Sequence, residues 1–177
     1  MNVRLVLKPL STAVLVTALL FLSAGNALAQ QAFLFVPNIP GDSTVEGYEN
    51  WINVLSIRQS ATASTRKAAA CDVSVVKRID VSGPALWATA AGGALLPEVK
   101  IAVLRNAAAE GSGGSTNSKL YDIELEDVRV ASVQATTGPS DAPETVTFVP
   151  QRVTLTFYTQ TATGLAGTPV VRSFDCQ

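Results

Sequence analysis

The stretch Leu120-Tyr121-Asp122-Ile123-Glu124-Leu125-Glu126-Asp127-Val128-Arg129-Val130 alternates apolar and polar residues, but its apolar phase changes midway. Tyr121, Ile123 and Leu125 occupy odd positions, whereas Val128 and Val130 occupy even ones. Successive side chains of a strand point to opposite faces, so keeping both halves against one core requires a bulge or sharp bend at Glu126-Asp127. The slip recurs downstream: Val146 and Phe148 are even, Val153, Leu155 and Phe157 are odd, and Pro150-Gln151 marks the change. Bends of this kind let strands turn corners. They suit a mainly all-β fold, a closed or nearly closed β-barrel of short antiparallel strands, with a two-sheet sandwich as second choice.

Outward from this stretch, Val99, Ile101 and Val103 alternate as a strand, followed by a Gly- and Ser-rich loop across Ala107 to Ser118. Cys71 to Ile79 is rich in β-branched residues, Trp51 to Ile57 is apolar on both faces, and Phe33 to Val36 is a short apolar run broken by Pro37 to Gly41. Residues Arg58 to Ala70 are polar or small and read as an exposed loop or hairpin. Helix signals gather once, with Ser82 as cap, Pro84 in the first turn and Gly92-Gly93 as the stop. So short a helix needs a support, so Leu86, Trp87 and Ala90 are expected to face the sheet. Val170, Val171 and Phe174 supply a last edge or closing strand. The expected core includes Trp51, Leu55, Trp87, Leu125, Phe148 and Phe157.

Residues 1–29 read as a cleavable signal peptide: Arg4 and Lys8 precede an apolar run from Ala13 to Leu22, and Ala27-Leu28-Ala29 is a small-x-small cleavage site. The run is too short for the roughly 20 residues of a membrane span, so no membrane insertion is expected after cleavage. Residues 30–177 then form one domain of roughly 150 residues, large enough for a single core. The protein is expected to be secreted or periplasmic. In such an oxidising compartment, Cys71 and Cys176 are expected to pair. The chain-entropy account values a loop of about 106 residues at roughly 4 to 5 kcal/mol. Two separately buried thiols are the alternative.

The whole chain carries 13 Lys plus Arg against 14 Asp plus Glu and contains no histidine. Such a balance offers no basic field for nucleic acid. The lack of imidazole excludes Ser-His-Asp and Cys-His catalysis, His-ligated zinc and His-based pH sensing.

Four segments together resemble the Hcp family, the haemolysin-coregulated tube proteins of type VI secretion. The first is F-V-P-N-I-P-G-D-S-T-V-E-G-Y-E-N-W-I-N-V-L-S-I from Phe35 to Ile57. Its Ile39, Gly41, Asp42, Ser43, Gly47, Trp51, Ile52, Val54, Leu55 and Ser56 match the family's opening signature, with Tyr48 where members often carry His. V-K-R-I-D-V-S-G-P-A-L-W-A-T-A-A-G-G resembles its segment of strand, Asp and Ser-Pro-Leu helix. L-Y-D-I-E-L-E-D-V-R-V-A-S-V and E-T-V-T-F-V-P-Q-R-V-T-L-T-F resemble its later strands. The resemblance implies an Hcp-like β-barrel with one short α-helix. It also implies self-association into hexameric rings that stack into tubes, a lumen able to hold small secreted protein cargo, no enzyme activity and no cofactor. It makes Arg58 to Ala70, including Arg66 and Lys67, a ring-stacking loop. A cleavable leader departs from the family pattern and points to a periplasmic or extracellular role. A monomeric secreted binding module built on the same barrel is the alternative.

Other constellations have simpler readings. Asp122, Glu124 and Glu126 share one strand face and could bind calcium or act as an acid/base pair, but a solvated face or pairing between subunits accounts for them. The run Gly111-Ser112-Gly113-Gly114-Ser115 lacks the Lys-Ser or Lys-Thr of a phosphate loop. Ser118 and Lys119, as strand neighbours, point apart and make no catalytic pair. No catalytic residue and no metal ligand is expected.

Overall fold

A computed structural model describes residues 30–63, 69–107, 116–136, 142–160 and 167–176. The leader, Arg66 and Lys67, and the Gly111 to Ser115 run lie outside these residues. The elements are β1 Gln31–Phe35, β2 Ile52–Thr62, β3 Ala70–Arg78, α1 Gly83–Gly92, β4 Leu95–Ala107, β5 Thr116–Ala135, β6 Pro143–Val149, β7 Arg152–Phe157 and β8 Val170–Asp175. All strand ladders are antiparallel. The order β4-β1-β2-β3-β6-β5, joined by a direct β4–β5 pairing, closes a six-stranded barrel. β7 and β8 continue from β5 as an outer leaf.

The two phase slips lie side by side in space. β5 pairs with β7 through Glu126↔Arg152 and with β6 from Arg129↔Val149 onward, so it changes partner where its apolar phase changes. Asp127 takes a φ of 50° at that point, and Gln151 donates its N–H to the Glu126 carbonyl at 3.0 Å. The bend thus lets one edge of β5 pair with the leaf along one half and with β6 along the other, while its opposite edge pairs with β4. On either side of it Ile123, Leu125, Val128 and Val130 all remain buried.

Inside the barrel lie Leu34, Ile52, Val73, Val75, Ile101, Ile123, Leu125, Val146 and Phe148. The strands around Arg58 to Ala70 reach further than the sequence suggested, because β2 and β3 stay paired as far as Thr62↔Ala70. Polar residues there face solvent on a two-stranded arm, which needs little core of its own. A second apolar layer covers the outside of β1. There Tyr48 stacks on Phe33 at 4.8 Å, and Trp51 meets Tyr48 edge-on at 5.1 Å and Phe35 at 5.4 Å. Gly41 permits this layer, since a Cβ there would collide with the backbone of Trp51 and Ile52.

Helix α1 packs against β5 and buries Leu86 completely. Pro84 lies in its first turn, and Gly93 ends it in the left-handed region at φ 63°. Ser82 does not cap with its own hydroxyl. That hydroxyl donates to Asp80, whose Oδ1 also accepts the Ser82 N–H at 2.9 Å. The Asp80 carboxylate thus fixes the residue at the helix start, while the cap bond expected from the serine hydroxyl to a first-turn N–H is not made.

Four expected core residues need correction. Leu55 is 55% exposed: with Ile52 and Val54 buried, alternation puts it on the outer face, and the β2–β3 register shift between Val54 and Ser56 leaves it unpaired there. Trp87 is 47% exposed, being one helical step from the inward Leu86. Phe157 is 44% exposed because β7 stands outside the closed circuit. Trp51 is half-buried in the outer aromatic layer and does not enter the barrel interior. Leu125 and Phe148 are fully buried.

Candidate assembly surface

Two charged residues occupy inward positions. Lys77 continues the phase of Cys71, Val73 and Val75, and Glu144 that of Val146 and Phe148, so alternation drives both charges inside. Their strands meet at Lys77↔Glu144. The Lys77 ammonium lies 2.7 Å from Glu144 Oε2 and donates to Asp80 Oδ1 at 2.8 Å and to the Arg78 carbonyl at 3.0 Å. The other Glu144 oxygen accepts the Trp87 indole N–H at 2.7 Å. A buried charge is tolerated only when paired and hydrogen-bonded, and here the ammonium donates two hydrogen bonds and stands in ion-pair contact with Glu144. The consequence is positional. The network fixes the turn into α1 and holds the exposed Trp87 ring in one orientation. Sequence reading missed this pair, although a Lys and a Glu in apolar phase on two strands were visible signals.

On the outside of β5, Asp122 Oδ2 accepts from Lys119 Nζ and from Tyr158 Oη, both at 2.7 Å. The hydrogen bond to Asp122 raises the Tyr158 pKa, with burial adding to it. Burial by itself would lower Lys119, but the hydrogen bond and charge of Asp122 outweigh it and leave the ammonium raised. Tyr48 and Tyr121 are raised chiefly by burial. Glu124 and Glu126 face solvent, so the three carboxylates do not converge. Among the described residues, no group of three or more His, Cys, Asp or Glu is placed to hold a metal ion. Ser118 and Lys119 form no pair, since the lysine is engaged by Asp122.

The remaining notable surface is apolar. Leu55, Phe157, Val170 and Val171 are all close to half exposed or more. Leu55, Ile57, Val103, Tyr121 and Phe157 border a groove of about 370 Å³ at the barrel rim. A further apolar group, Ile79, Val81 and Trp87, surrounds the turn into α1. Exposed apolar patches of this kind mark surfaces that meet another molecule. Among the described residues, the outermost strand β8 has β7 as its one strand partner, and its other edge meets Ala69 only at its C-terminal end. Cys71 and Cys176 form a disulfide, with Cα atoms 5.6 Å apart, that ties the chain after β8 to the start of β3. Among the described residues, no helix is long and apolar enough to cross a membrane.

A small closed barrel whose buried charges serve the fold, and whose uncommitted residues are surface apolar groups, has the build of a structural component. Residues 33–161 match the family described as type VI secretion system effector, Hcp, and the chain belongs to that family. It is a structural protein related to the type VI secretion tube. Three solved structures are similar. Hcp1 from Salmonella typhimurium is 20% identical with a TM-score of 0.67, over 84% of this chain and 95% of that one. A type VI secretion system effector from Yersinia pestis is 19% identical with a TM-score of 0.66, over 81% and 98%. The secreted protein Hcp3 from Pseudomonas aeruginosa is 21% identical with a TM-score of 0.62, over 84% and 99%. These likenesses show the shared barrel fold. No curated protein matches the chain significantly.

Proposed function

We propose that the protein, processed after Ala29 and exported, assembles through its apolar surface into hexameric rings able to stack, and acts in the periplasm or outside the cell as a structural part without catalytic activity. Family membership supports self-association, and the observation that carries the reading here is the exposed apolar set Leu55, Phe157 and Val170, with Phe157 and Val170 paired across β7 and β8. A ring closes when one face of each subunit meets a different face of the next. The group around Ile79, Val81 and Trp87 offers a second face of suitable chemistry. Export is supported by the small-x-small site before Gln30 and by the use of both cysteines in one cross-link. The ring-stacking role of Arg66 and Lys67 and the sheltering of small protein cargo belong to the same proposal.

Light scattering on the mature protein tests it. A mass of about six monomers, with ring-shaped particles in negative stain, is the expected result. A stable monomer at high concentration would favour the binding-module alternative, with the rim groove as its site.

A further inference from the structure

We infer that the Cys71–Cys176 disulfide is a post-export switch that sets the outer strand β8 in the position from which the next copy is engaged. The inference rests on the ring-forming reading above.

The observations concern how β8 is held. Among the described residues it pairs with β7 from Phe157↔Val170 to Arg152↔Asp175 and with no other strand. Residues Val170 to Ser173 are exposed, and of its side chains only that of Phe174 packs against the core. The Arg152–Asp175 ion pair is solvent-exposed and adds little to the attachment. A strand with so little buried surface opens locally at small cost. Its fastening is concentrated beyond Asp175. The Cys176 N–H donates to the Gln151 carbonyl at 2.7 Å, Ala69 and Cys176 form a parallel bridge, and the disulfide locks that bridge to β3. With the link made, β8 is tied at both ends, through β7 at one and through β3 at the other. With the link open, β8 keeps the β7 ladder, the Phe174 contact, the exposed Arg152–Asp175 and Thr154–Ser173 side-chain contacts and a few backbone hydrogen bonds, but loses its covalent tie to β3. The barrel circuit β4-β1-β2-β3-β6-β5 does not include β8, so opening the link leaves the barrel's own ladders complete.

The chemistry is thiol–disulfide exchange with a protein disulfide oxidant of the receiving compartment. Each cysteine thiol gives up its proton, one sulfur attacks the oxidant's disulfide, and the second sulfur displaces the mixed disulfide. The Cys71–Cys176 bond forms, the oxidant leaves as a dithiol, and two electrons have passed to it. In a reducing compartment the reverse exchange keeps the pair open and β8 loose. Rings are then confined to the oxidising side of the membrane, and a chain folded before export does not assemble.

The test uses the folded, oxidised mature protein, reduced with a dithiol under native conditions and alkylated, beside a Cys71→Ala/Cys176→Ala variant. Amide exchange and light scattering are read together. On opening the link, the Val170 to Asp175 amides are expected to exchange at least about tenfold faster while β4 and β5 keep their protection. The mass is expected to fall from the assembled value to the monomer, and oxidised glutathione should restore the assembly of unalkylated protein. Two results overturn the inference: open-link protein that assembles as the oxidised form does, or loss of protection in β4 and β5 together with β8, which would make the link a staple for the whole fold. Oxidised protein that is monomeric at every concentration defeats the ring reading itself, and is told apart because the exchange of β8 is measured on that same monomer.

Discussion

Phe148 and Phe157 stand nine residues apart in sequence, on adjoining strands with the same alternation of Val, Thr and Phe, yet one is fully buried and the other 44% exposed. β6, which carries Phe148, runs between β3 and β5 in the closed wall, so its inner face meets the opposite side of the barrel. β7, which carries Phe157, hangs from β5 outside that circuit, and among the described residues Phe157 only borders the rim groove with Leu55 and Tyr121 and stays partly exposed. Alternation tells which residues share a face. It does not tell whether that face is covered by the same chain or by another.

The contrast can be broken most severely at the two phenylalanines. Phe148→Ala is expected to lower unfolding stability by about 4 kcal/mol, read from the urea midpoint, because it leaves a large cavity in a packed wall. Phe157→Ala should cost less than about 1.5 kcal/mol in the monomer but weaken assembly by light scattering. Equal losses of stability would erase the distinction between wall and leaf.

Next in size is Glu144→Ala, expected to cost about 3 kcal/mol because it strands the Lys77 ammonium in the interior. Lys77→Met with Glu144→Leu should recover much of that loss, and failure to recover would mean that the Trp87 and Asp80 contacts matter more than the buried charge. A smaller effect belongs to Tyr158, on the leaf side. Folding raises its pKa, chiefly through the hydrogen bond to Asp122, so the folded state holds the phenolic proton more tightly. Its contribution is fully present below the unfolded value and is lost as pH rises through the folded one. Tyr158→Phe should therefore be less stable than the unaltered protein by at most about 1 kcal/mol at neutral pH, and the gap should close above about pH 10. A gap independent of pH in thermal melts up to pH 11 would contradict this.

Much of the barrel was legible because burial imposes a period of two. The phase slips at Glu126-Asp127 and Pro150-Gln151 located both bends, and Ser82, Pro84 and Gly93 bracketed the helix. What escaped has physical reasons. The bulge at Leu55 turns on a register shift that no local residue announces. The insertion of β1 between β2 and β4, and the branching of β7 from β5, are long-range pairings that leave no trace in a local pattern. The Lys77–Glu144 pair was readable in principle, since each charge sits in its strand's apolar phase, but recognising it requires knowing that β3 and β6 are neighbours. Part of the candidate surface was misread as core, because Leu55, Trp87 and Phe157 are as apolar as any interior residue.

The long strand β5 is hydrogen-bonded to β4 along one edge and to β7 and then β6 along the other. A single residue inserted between Tyr121 and Leu125 would turn the barrel lining of that strand inside out for three neighbours at once. Length differences tolerated during evolution should therefore accumulate in the connections at 108–115 and 137–141, leaving β5 as the fixed ruler against which its relatives are measured.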